Sequence, residues 1–202
     1  MAKVWDDFLP LAKPHIPGCP DITVKTYLAI VAADFFTQTH LWRDDIDPIF
    51  TAPGVVEYDL SADVLVEDVV SVVVDETEIM HTDVRIIPNN RRYETGRPTH
   101  YWIHSDNSIR LFPIPDGRIR LRLTGILKPS RTATGVEDWV YETWADAIVS
   151  GTIARLAIIP GKEWTDPGLA EVNNRQYQKA VTHARIRDAR GVGHSVKLRP
   201  IA

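Results

Sequence analysis

The sequence predicts an α+β fold: a helical lobe of three long helices, an inserted antiparallel β-domain, and extended N- and C-terminal arms. Three observations predict it. Apolar residues recur at three- and four-residue steps after Asp21, from Val140 and, more thinly, after Asp166. Between Asp44 and Arg131 short β-branched runs are split by turn residues. Residues 1–20 and 191–202 are rich in proline or glycine and carry no lasting period. The expected boundaries are an N-terminal arm over 1–20, a helical lobe from 21–43 with 134–190, a β-domain over 44–131 and a C-terminal tail over 191–202. With 202 residues, 44% of them hydrophobic, the chain can bury a core without disulfides or a structural metal.

The four prolines Pro10, Pro14, Pro17 and Pro20 limit the first segment to one helical turn near Val4 to Leu11. A helix then starts at Asp21, read as its N-cap, places Val24, Tyr27, Leu28, Val31, Ala32 and Phe35 on one face, and ends near Trp42. The strand runs are DIDPIF, VVEYDL, VVSVVVD, YWIH, IRLFPI and RIRLRLTGIL, with Asp116-Gly117 read as a hairpin turn between the last two. In the final run Arg118, Arg120 and Arg122 alternate with Ile119, Leu121 and Leu123, giving one basic and one apolar face. A second helix carries Val140, Trp144, Ala147, Ile148, Gly151 and Ala154 on one stripe, and its small residues permit close packing. A third opens at Asp166-Pro167, an N-cap followed by proline, and runs to about Arg190.

Several function classes lack support. Cys19 is the single cysteine, so a chain-internal disulfide and a cysteine-based zinc site are both excluded. No apolar run reaches the length of a membrane span, and MAKVWDDFLP has acids where a signal peptide is apolar, which predicts cytosolic synthesis and no membrane partner. The phosphate-loop, dinucleotide-binding, nucleophile-elbow and HExxH patterns are absent, and no cofactor or metal is expected. Asp44, Asp45 and Asp47 lack the order of a calcium loop and read as a solvated helix end. His100 and His104 would share a strand face, and with Asp106 they mark where an enzyme or ligand-binding module without a motif would place its site. Trp5 lies in the proline-rich arm and must dock on this chain or on another.

Charge segregation is the strongest clue. Residues 44–83 hold twelve acids and no lysine or arginine, whereas 84–131 hold ten bases against three acids. If the halves occupy opposite flanks, each complements the other on the next copy, which favours a head-to-tail contact and, when the rotation closes, a ring. The acidic side would be Glu67, Asp68, Asp75, Glu76 and Glu78, and the basic side Arg91, Arg92, Arg118, Arg120 and Arg122. Alternatively, neighbouring strands of opposite charge pair across the sheet within one subunit. The tail beyond Gly191 is also basic and reads as a candidate docking peptide.

The run THLWRDDIDPI after the first helix, the β segment GRPTHYWIHSDNSIRLFPIPD and the stretch ETWADAIVSGTIARLAIIPGKEWTDPGLAEVNNRQY follow an order seen elsewhere. Over about residues 20–190 the chain resembles phage head-to-tail adaptors, the neck proteins that include tail tubular protein A. The resemblance implies a virion protein made in the host cytoplasm that performs no catalysis. It implies a homo-oligomeric ring, commonly twelve-fold, that joins the portal protein to the tail nozzle or the next neck protein. Lys197, Leu198, Arg199 and Ile201 would then insert into the portal or a neighbouring adaptor, and the basic strand face would meet passing DNA or an acidic neighbour. A head-completion connector of a long-tailed phage is the alternative within the same class.

Overall fold

The computed structural model describes residues 2–60, 64–87, 91–104, 108–130 and 132–189. Along the chain its elements are β1 (Ala2–Val4), α1 (Leu9–Ala12), α2 (Asp21–Thr39), β2 (Arg43–Phe50), β3 (Glu57–Asp59), β4 (Val64–Val74) and β5 (Thr77–His81). They continue with β6 (His100–His104), β7 (Ser108–Phe112), β8 (Arg120–Pro129), β9 (Gly135–Glu137), α3 (Asp138–Ala157) and α4 (Pro167–Ala189). The described residues form two compact units, a helical one from 2–41 with 128–189 and a β-rich one from 42–127. The α+β class holds, with four α-helices among the described residues instead of three, because α1 forms inside the expected arm.

In the helical unit the N-terminal segment is not an extended arm. Trp5, Phe8, Ala12, Ile16 and Cys19 are all buried, and the 3₁₀ turns Trp5–Phe8 and Lys13–His15 flank α1. Pro10 and Pro14 stand in the opening positions of their short helices, where a missing N–H costs nothing. β1 pairs antiparallel with β9, and the Trp5 indole N–H donates to the Ala133 carbonyl at 2.6 Å. The Trp5 backbone N–H bonds Thr134 O at 3.1 Å, and the Phe8 ring meets Tyr141 edge-on at 4.9 Å.

Pro20, not Asp21, holds the N-cap position of α2, and the helix stops three residues short of Trp42. His40 there takes a left-handed conformation (φ 53) and returns its N–H to the Phe36 carbonyl at 2.9 Å. The apolar stripe of α2 packs on α3 and α4, with Phe35 in ring contact with both Trp144 and Tyr177. Asp34 ties the three helices together: its Oδ2 accepts from Arg155 at 2.6 Å, Gln38 at 2.9 Å and the Tyr177 hydroxyl at 3.0 Å. Burial and the nearby Asp34 carboxylate raise the Tyr177 pKa well above its ordinary value, so this hydroxyl remains a donor. α4 begins as its sequence requires, with Asp166 Oδ1 accepting from the Leu169 N–H at 2.9 Å ahead of Pro167.

The β-rich unit is one seven-stranded sheet in the order β2-β8-β4-β5-β6-β7-β3. It is mixed, not antiparallel: β5 and β6 run parallel, Met80 opposite His100, because the connection 82–99 carries the chain back to start in the same direction. Asp116-Gly117 is likewise not a hairpin turn, since β7 and β8 are not neighbours in the sheet. Pro113 and Pro115 have no N–H to give a ladder, and the segment instead accepts bonds from 51–56. Thr51 N–H donates to Ile119 O and Gly54 N–H to Pro115 O, both at 2.9 Å. These connections join the edge pairs β2-β8 and β3-β7 end to end, so the sheet rolls up and shelters Leu111, Leu121, Leu123 and Ile109 inside.

Candidate assembly interface

Strand β8 shows the clean alternation its sequence requires. Leu121 and Leu123 are buried, and Arg118, Arg120 and Arg122 face solvent. Phe50, opposite Arg120 on β2, is also exposed, and the Arg118 guanidinium lies 4.8 Å from the centre of its ring. One step along, Thr124 donates to Asp45 Oδ1 at 2.8 Å, so the same face carries a carboxylate.

On the acidic side, Asp75 and Glu76 form the two-residue turn between β4 and β5, with φ of 44° and 71°. Two left-handed residues match the twist of a tight hairpin, a conformation usually given to Asn-Gly. Glu78 is exposed on β5 and Asp68 on β4; Glu67 is placed by its backbone on β4. Arg97 reaches the turn, donating to the Val74 carbonyl at 3.1 Å and standing 3.8 Å from Asp75.

Part of the charge segregation is consumed inside the unit. Glu57 pairs with Arg110 across β3 and β7 at 2.7 Å, and Asp83 with Arg85 at 2.5 Å. Arg91 is held by Glu94 through two bonds of 2.8 Å. The Asp83 carboxyl is held at about 2 by the Arg85 side chain and backbone. Arg92 is exposed beside Tyr93, which is 85% exposed, and Ile86 in the same 82–99 connection is 73% exposed.

The Glu57 carboxyl is also held below its ordinary 4.5, first by the Ser108 hydroxyl and then by Arg110. A carboxyl depressed in the folded state stabilises above its unfolded pKa and loses that contribution as pH falls through the folded value. The β3-β7 edge is therefore expected to loosen as pH drops below 4.5. Arg110→Gln should move the Glu57 titration, followed by NMR of its side-chain carbons, upward. An unchanged midpoint would show that the pair is only a close approach.

The histidines do not converge. His100 and His104 lie four residues apart on β6, about 13 Å at strand rise. His100 Nδ1 is 2.9 Å from Thr99 Oγ1, and His104 neighbours Glu57. Among the described residues no group of three or more His, Cys, Asp or Glu is arranged to hold a metal ion. Asp106 and the tail residues Lys197, Leu198, Arg199 and Ile201 lie outside the described residues.

The helical unit contributes a cleft of about 300 Å³ between the first turn (Trp5, Asp6), the start of α2 (Ile22, Lys25, Thr26, Ala29) and residues 132–134. Ile22, 72% exposed, stands at its mouth, and Lys25 bridges to Asp6 at 2.6 Å. Phe50, Tyr93 and Ile22 were all missed in the sequence. Only Ile22 had a signal, since it lies off the Val24, Leu28 and Val31 face of α2; Phe50 is an even step from buried Ile46 and faces outward because of the register shift between Ile46 and Ile49.

Among the described residues of the β-rich unit, exposed apolar side chains, arginines without an ion-pair partner and an acidic hairpin tip thus lie on the surface. The chain belongs to the SU10 adaptor protein family, whose model matches residues 6–198. It is accordingly a structural phage protein, a virion component that interacts with other head or tail parts. No curated protein matches it in sequence. No helix among the described residues is long and apolar enough to cross a membrane.

Proposed function

We propose that the chain forms the adaptor ring that connects the portal to the tail nozzle or to the next neck component, in the manner of tail tubular protein A. The family match across residues 6–198 carries this reading. The two-unit architecture supports it: a closely packed helical unit supplies a stiff block, and the rolled sheet presents acidic and basic surfaces that one subunit can offer in different directions. The basic segment beyond Gly191 supplies a docking peptide in which Lys197 and Arg199 pair with acids and Leu198 and Ile201 fill a groove on the portal.

Light scattering of the purified chain, alone and with portal rings of the same phage, tests the reading. A stoichiometric gain in mass on the portal ring is expected, and deleting residues 192–202 should weaken it at least tenfold. A chain that never adds to portal rings is not an adaptor of this kind. A truncated chain that adds as tightly as the full one removes the docking role of the tail and leaves the ring intact.

A further inference from the structure

Once the internal ion pairs are assigned, a basic strip remains among the described residues of the β-rich unit. Arg85, Arg91, Arg97 and Arg110 each face a carboxylate of their own unit. Among the described residues Arg118, Arg120 and Arg122 have no carboxylate at ion-pair distance; Arg118 instead lies over Phe50. Phe50 is 51% exposed on the outer face of a sheet whose inner face is filled by Leu121 and Leu123. Packing within the unit does not require an aromatic side chain there.

An exposed aromatic ring among guanidinium groups has the composition of a protein contact, where aromatic and arginine anchors dominate. The stacking of Arg118 on Phe50 fixes both side chains in advance and lowers the ordering cost of docking. A phosphate backbone fits less well. Asp45 shares the face, and exposed Asp47 and Asp116 flank it in sequence, so a polyanion would meet repulsion beside every attraction.

The complement is on the same chain. With Ile79 buried, Glu78 and Met80 point outward on β5, Met80 is 64% exposed, and Glu76 continues the row at the turn. β5 offers Glu78 and then Met80 about 7 Å apart along the strand, and the turn places the Glu76 carboxylate just ahead of them. The basic strip offers Arg122, Arg120 and then Arg118 at the same spacing, with Phe50 directly across from Arg120 on β2 and under the Arg118 guanidinium. Carboxylates fall on Arg122 and Arg120, and the methionine falls at the third position, where Arg118 and the Phe50 ring are stacked.

We propose that the Phe50, Arg120 and Arg122 strip docks the β4-β5 hairpin of a second copy of this chain, with Glu76 and Glu78 on the arginines and Met80 against Phe50. The proposal rests on the adaptor-ring reading and names the contact between its subunits. Strip and hairpin share no residue, so each copy has one of each to offer its neighbours.

Sedimentation velocity of the full chain at low salt tests this. One variant carries Arg120→Glu and Arg122→Glu, the other Glu76→Lys and Glu78→Lys. Each alone should self-associate at least tenfold more weakly than the unaltered chain. Mixed, they should form at least a one-to-one complex, because the intact hairpin of the first still meets the intact strip of the second. Arg120→Gln with Arg122→Gln, which adds no repulsion against Asp45, should weaken association in the same direction, and Phe50→Ala should do so without changing charge.

Reversed variants that associate like the unaltered chain would overturn the proposal, as would a mixture that stays monomeric. An unaltered chain that remains monomeric up to about 1 mM would do the same. Loss of duplex DNA binding by the arginine variants with self-association intact would overturn it in favour of nucleic-acid contact. Addition to portal rings is measured apart from these steps, so the ring reading can stand when the named contact falls.

Discussion

Trp5→Ala is expected to destabilise the helical unit by about 3–5 kcal/mol, the range for emptying a buried large aromatic site. Trp5 is 5% exposed and its ring packs 5.4 Å from Phe8, so truncation leaves a cavity lined by side chains that cannot all collapse into it. It also removes the indole donor to the Ala133 carbonyl, a bond that holds residues 132–134 against the N-terminal turn. Trp5→Phe separates the two effects: most apolar area is kept and the hydrogen bond is lost, at about 1 kcal/mol. Urea denaturation followed by far-UV circular dichroism checks both. A Trp5→Ala chain within 1 kcal/mol of the unaltered one would mean that residues 2–19 ride on the unit without holding it.

That prediction contradicts the plain reading of the first twenty residues, and the reason is instructive. Proline count argues for an extended arm, yet Trp5, Phe8, Ala12, Ile16 and Cys19 stand three or four residues apart throughout. Period outweighs proline here because Pro10 and Pro14 occupy helix starts, where proline is harmless. The long helices were legible for the same reason: their stripes are continuous and their ends are marked, at Asp166-Pro167 by capping chemistry. At His40 the left-handed end (φ 53) is made without the glycine that usually marks it, and the end of α2 was accordingly misjudged.

The sheet was legible strand by strand and not as a sheet. Alternation in RIRLRL reveals which face is wet, but strand neighbours depend on pairings far apart in the chain. The parallel β5-β6 pair and the rolled connection of 51–56 with 113–119 have no local signature. The same limit applies to the assembly residues. Segregated charge is visible in the sequence, but Glu57 and Arg110, 53 residues apart, face each other only because β3 lies beside β7. Register thus sorts the charges into those spent internally and those left for a partner.

Gly151→Val should cost about 3 kcal/mol, at the upper end of overpacking. Gly151 lies where α3 meets both α2 and α4, and a Cβ there would stand 2.6 Å from Val31 Cγ1 and 2.8 Å from Tyr177 Cδ2. Neither neighbour yields easily. Val31 is fully buried, and the Tyr177 hydroxyl is anchored on Asp34, which Arg155 and Gln38 also hold. Gly151→Ala should lose less, since about 1 kcal/mol of helix propensity offsets part of the clash. The diagnostic experiment is a double-mutant cycle by thermal denaturation. Val31→Ala removes the nearest obstructing methyl, so Gly151→Ala should cost at least about 1 kcal/mol less in that background. Strict additivity would show that the helices can slide apart at this crossing. Coupling of the expected sign would show a block whose helices are locked at one point by van der Waals contact and by the shared Asp34 carboxylate.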